Sequence, residues 1–161
     1  MDILTIGRII QKEREACGLT QRALAAVSHV SRVTIVNLEN GRLGDIGAVK
    51  LSGIAAHLGI ALFATENKMD AINMTLGNIN TSYKNSMSAA ELEKFMLCGM
   101  IPFGLEGQVF HLIEETPSTL LVSAVKQIAA TKNIKAKLLW KNLAKVAADI
   151  QSTNQFWSCF A

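Results

Sequence analysis

Apolar residues recur three and four positions apart along almost the whole chain, and no stretch alternates apolar with polar as a half-buried strand requires. That pattern restricts the fold to an all-α one. Ile6, Ile9, Ile10 and Ala16 mark a first helix that Gly18 stops. Thr20 is placed to cap a second helix running through Leu24 to Val27, and Ser31 to cap a third that carries Ile35 and Leu38 inward. Asn40-Gly41 ends the third, because glycine accepts a left-handed C-terminal turn at no steric cost. A fourth helix is expected over 46–58, burying Val49, Ile54 and Leu58, and residues 60–63 then close a first domain.

The remainder divides in two. Residues 64–87 are rich in Asn, Thr, Ser and Lys and read as a linker, although Met69, Ile72, Leu76, Ile79 and Tyr83 also fit a connecting helix with a short coiled-coil seam. Past it, Ser88-Ala89-Ala90-Glu91 is a capping box that opens a helix through Phe95 and Leu97. Further helices are expected over 105–115, from a Thr116-Pro117 start to about Asn133, and over 136–150 with Leu139, Leu143, Val146 and Ile150 facing inward. The expected division is 1–66, a linker or connecting helix at 67–87, and a helical C-terminal domain at 88–161 for partner binding or oligomerisation. The two outer parts are expected to be separable across 64–87.

Half of the residues are apolar and only 18% are charged, a hydrophobic balance for so short a chain and one that favours an oligomer. The net charge of +3 does not by itself announce nucleic-acid binding. It is uneven: seven Lys/Arg against five Asp/Glu in 1–63, three against seven in 64–115, and six against one in 116–161. The N-terminal sequence lacks a basic, apolar leader, and the most apolar window (54–64) is too short to span a bilayer. A cytoplasmic protein with no membrane partner is expected. Cys17, Cys98 and Cys159 are scattered, with no CxxC pair and no histidine at ligand spacing, so neither disulfide, metal nor cofactor is called for.

The function has to come from a motif. Two helices joined by a tight turn can set the second into the major groove of DNA, where each base pair shows a distinct donor and acceptor pattern. The run from Gly18 to Arg42 has that layout: Thr20-Gln21 at the start of the second helix, small Ala25 where the helices cross, Ser31-Arg32 opening the third, and Leu38-Glu39-Asn40-Gly41 ending it. Together these resemble the Xre/Cro family of helix-turn-helix repressors over about residues 6–62, which implies a five-helix, lambda-repressor-like domain. The resemblance further implies base contacts from Arg32, Val33 and Asn37, phosphate contacts from Gln21, Asn40 and Arg42, and a structural ion pair between Arg14 and Glu39. Operator DNA bound by a homodimer follows from it. At the turn, where the family usually has glycine, this chain has His29.

The tail resembles, more diffusely, the C-terminal part of Xre-type antitoxins encoded beside nucleotidyltransferase-type toxins. The carrying segments are Ser88 to Leu92, Ile113 to Pro117 and Leu139 to Leu143, with Gly44 to Gly47 and Lys50-Leu51 upstream. It implies an autoregulating antitoxin whose partner is a toxin protein from the neighbouring gene. The alternative is a stand-alone phage or host repressor whose tail dimerises or senses a ligand. No enzyme is expected: Cys98-Gly99 with Ser123 and Lys126 is reminiscent of self-cleaving repressors, but the residues that follow are helical where that peptidase is β-rich. Lys137, Lys141 and Lys145 form a stripe on the last helix that reads first as a solvated face. The apolar end, Phe156-Trp157-Ser158-Cys159-Phe160, packs either on its own domain or on another subunit.

Overall fold

The computed structural model describes residues 3–60 and 70–160, and these are helical with no strand among them. In chain order the helices are α1 (Ile3–Ala16), α2 (Gln21–Val27), α3 (Arg32–Glu39), α4 (Ala48–His57), α5 (Ala71–Ile79), α6 (Ala89–Cys98), α7 (Glu106–Glu114), α8 (Ser118–Lys132) and α9 (Ala136–Asp149), followed by a 3-10 segment (Gln155–Cys159). Local chemistry sets the boundaries. Thr20 accepts from the Ala23 N–H at 3.0 Å and Ser31 from Thr34 N–H at 3.0 Å, each satisfying a donor that the first helical turn leaves open. Ser88 and Glu91 close the reciprocal capping box. Because the Ser88 side chain and backbone N–H both bond to it, the Glu91 carboxyl titrates below its ordinary value.

Gly7 fixes how the first domain packs. It is buried on α1, which packs against α3, and a Cβ there would run into the Leu38 carbonyl. Only glycine permits that approach. Behind it Leu24, Ile35, Leu38, Ile54 and Leu58 are fully enclosed, each worth about 1.5–3 kcal/mol of burial.

Ile9, one of the residues that mark α1, is 40% exposed, because the inward face of the helix runs through Gly7, Ile10 and Arg14. Two expectations are corrected. Val49 is 87% exposed, since it lies five residues before Ile54, about 140° round the helix from that face. Thr116 does not cap α8: Pro117 holds the cap position without a side-chain bond, and the Thr116 hydroxyl donates to Asn78 Oδ1 at 2.9 Å instead. Of the closing segment 60–63, Ile60 packs on the core, while 61–63 lie outside the described residues. Met69, the first position of the expected seam, lies outside them too.

Within 67–87 the sequence left open a linker or a connecting helix, and residues 71–79 are helical. Ile72, Thr75 and Ile79 are the buried face of α5, which packs on α8, α7 and α6. Asp70 caps this helix by accepting from the Asn73 N–H, and that bond lowers the pKa of its carboxyl. The apolar spacing is thus a core-facing stripe.

One continuous apolar cluster runs through both ends of the chain. Helix α8 packs on α4, α5 and α9, and the 3-10 segment packs on α2. The Trp140 indole N–H donates to the Cys17 carbonyl at 2.7 Å, and Lys126 Nζ reaches Glu13 Oε2 at 2.7 Å. Cutting at 64–87 would therefore open a shared core, which weighs against the expected separability. The C-terminal aromatics fold back on their own chain: Phe160 stacks on Trp140 with ring centroids 5.2 Å apart, and Phe156 meets the same ring edge-on at 5.7 Å.

Burial pushes the Cys17 thiol pKa upward, which suppresses the reactive thiolate, and its side chain has no exposure at all. Cys98 is exposed. A chromogenic disulfide reagent at pH 8 is expected to titrate Cys98 rapidly and to leave Cys17 untouched until denaturant is added. Rapid native labelling at Cys17, located by peptide mass, would contradict the packing of the turn after α1 against α9.

Candidate nucleic-acid interface

The turn between α2 and α3 fixes the geometry of the interface. His29 adopts a left-handed backbone at φ 52°, the conformation that glycine takes without cost. The amides of Ser28, His29 and Val30 bond to Leu24, Ala26 and Ala25 carbonyls, so the turn closes despite the substituted side chain. Buried Ala25 lets the helices meet, and Leu24, Ile35 and Leu38 fill the angle between them.

Behind α3 lies a buried polar network. Arg14 and Glu39 are 8% and 5% exposed. Arg14 Nε donates to Glu39 Oε1 at 2.6 Å and its Nη2 to Oε2 at 3.1 Å, while Nη1 donates to the Leu19 carbonyl at 2.8 Å. Gln21 Nε2 adds a third donor to Glu39, at 2.9 Å. Two hydrogen bonds in parallel hold the guanidinium in one orientation, so α1, α2 and the end of α3 are locked together. Gln21 braces α3 with one amide hydrogen and retains a second.

The outer side of α3 is open. Arg32 stands exposed at its start, and Val33 is 66% exposed. Asn37 is half-buried one turn after Val33, on the same face. Asn40 and Arg42 are exposed just beyond the helix; Asn40 Nδ2 donates to the Val36 carbonyl at 2.8 Å, leaving its second amide hydrogen directed elsewhere. The structure thus brings Gln21, Arg14 and Glu39 into one cluster, and strings Arg32, Val33, Asn37, Asn40 and Arg42 along α3 and its exit.

Sequence reasoning missed Gly7, which seats α1 on α3, and Trp140, which holds this platform to the rest of the chain. A buried tryptophan must find an acceptor for its N–H, which was the available signal for Trp140. The Ser123 and Lys126 side chains do not face each other as a dyad: Ser123 donates to the Thr119 carbonyl at 2.9 Å, and Lys126 bonds Glu13 and the Leu58 carbonyl. Among the described residues no helix is long and apolar enough to cross a membrane.

Residues 10–63 match the family model described as Helix-turn-helix, the span that contains the network and the exposed face of α3. No curated protein and no solved structure matches the chain.

Proposed function

We propose that this chain, a DNA-binding transcription regulator by virtue of the Xre and lambda-repressor-type helix-turn-helix domain at 10–63, is an operator-specific repressor that acts as a homodimer and doubles as an antitoxin. The observation that carries the DNA-reading part is the contrast across α3. Its inner end is fixed by a buried ion pair, and its outer face offers Arg32, Val33 and Asn37, with Val33 largely exposed. Arginine suits the two acceptors of guanine, asparagine the donor and acceptor of adenine, and valine a thymine methyl. Gln21, Asn40 and Arg42 supply phosphate contacts on either side.

For a protein partner, the supporting feature is an apolar stretch between α6 and α7. Phe103 is fully exposed, Met100 is 66% and Ile101 38% exposed, and Phe110 on α7 is half exposed. Aromatic anchors of this kind dominate protein interfaces. The antitoxin reading places the toxin there; the stand-alone reading places a second copy there.

Base substitution scanning with Arg32→Ala tests the DNA reading. The variant is expected to lose about 1–3 kcal/mol at one base position and to become indifferent to the base there. Asn40→Ala and Arg42→Ala are expected to weaken every sequence alike. A uniform loss from Arg32→Ala would remove it from base recognition. For the partner, light scattering of full-length Phe103→Ser, with and without the neighbouring gene's product, separates the two occupants of the apolar stretch.

A further inference from the structure

A groove of about 990 Å³ runs between α9 and the C-terminal 3-10 segment, at the upper end of the range for small-molecule sites. One wall carries Lys137, Lys141 and Lys145, one turn apart and all exposed. The floor is apolar: Ala144, Ala148 and Phe160 line it, over the buried rings of Trp140 and Trp157. No aspartate or glutamate lines it, and among the described residues none of the three lysines is in an ion pair. Of the other lysines beyond residue 116, Lys126 pairs with Glu13 and Lys132 with Glu93, while Lys135 is exposed and lies outside the groove. A solvated lysine face needs no concave apolar surface beside it, and an apolar interface core is depleted of lysine. Cationic heads beside an apolar floor match an amphipathic anion.

We propose that this groove is a binding site for a small organic anion, with a carboxylate, sulfonate or phosphate held by Lys141 and its neighbours and an apolar body laid on the Ala144, Ala148 and Phe160 side. The site is independent of the DNA-binding reading and of the exposed apolar stretch between α6 and α7. Its far end touches Gly18 and Thr20, the turn and cap that start α2, so an occupant would lie against the helix-turn-helix domain.

The chain's two tryptophans both line the groove, which supplies a reporter. Full-length protein titrated with 1-anilinonaphthalene-8-sulfonate is expected to show saturable one-to-one energy transfer from tryptophan. N-phenyl-1-naphthylamine, the same ring system without the anion, is expected to bind about tenfold more weakly. Lys141→Gln/Lys145→Gln, at exposed positions that leave the melting temperature unchanged, is expected to weaken the anionic dye by about tenfold and not the neutral one. In a Cys98→Ser background, the anionic dye is expected to slow alkylation of Cys159, which also lines the groove. Equal binding of the two dyes, or no effect of the double substitution, overturns the proposal. So does dye binding that strengthens as the protein is diluted, since a second copy of the chain would then be the groove's occupant.

Discussion

Glu39→Ala is expected to destabilise the protein by about 3 kcal/mol, because it strands the Arg14 guanidinium in a site only 8% exposed. Removing one partner of a buried pair costs about 3–5 kcal/mol in general. The lower end applies here, since Arg14 keeps its bond to the Leu19 carbonyl and a longer contact to the exposed Glu15 at 3.4 Å. For a chain of 161 residues the loss corresponds to a fall in melting temperature on the order of 10 °C. Arg14→Met/Glu39→Leu is expected to recover most of it, because two apolar groups in the same space leave no charge behind. Thermal unfolding of the two variants checks both statements. An unchanged melting temperature for Glu39→Ala would mean that water reaches the pair and that nothing rigid backs α3.

Trp140→Ala is expected to cost at least as much, about 3–5 kcal/mol. It removes a ring that is 1% exposed, takes the stacking partner from Phe160, and leaves the Cys17 carbonyl without its donor. Trp140→Phe keeps most of the packing and loses the hydrogen bond, so about 1–2 kcal/mol is expected. Because the indole bonds to the loop before α2, the loss should fall on the whole chain. In urea the signal of Trp157 and the helical circular dichroism are expected to disappear in one coincident transition for wild type and variants. Two separated transitions would show that the halves fold independently and that the contact between the α1–α2 turn and α9 contributes little.

Local chemistry was the legible layer. Thr20, Ser31, Ser88-Glu91 and Gly41 announced their helix boundaries because capping depends on side chains within three residues of the boundary. The Arg14–Glu39 contact, twenty-five residues apart, was foreseen only through family resemblance, since no spacing rule joins α1 to the end of α3. Val49 was misplaced for a related reason: an apolar residue on a short helix fits several faces, and only the neighbours decide which is inward. The docking of the two halves was the least legible. It rests on Gly18 and Trp140, whose meaning is set by a carbonyl or a backbone that approaches from far along the chain. The 3-10 segment illustrates the same limit, since its aromatics fitted self-packing and subunit contact equally well until α2 and Trp140 were seen to cover them.

The central claim is that α3 reads sequence. The direct measurement is the affinity of the full chain for the duplex upstream of its own coding sequence, against a scrambled duplex of equal composition, at ~150 mM salt. Specific recognition predicts a preference of at least roughly a thousandfold, abolished at one position by Arg32→Ala and preserved in proportion by Arg42→Ala. Equal affinity for the two duplexes, falling together as salt is raised, would contradict it and leave only charge attraction to the phosphate backbone.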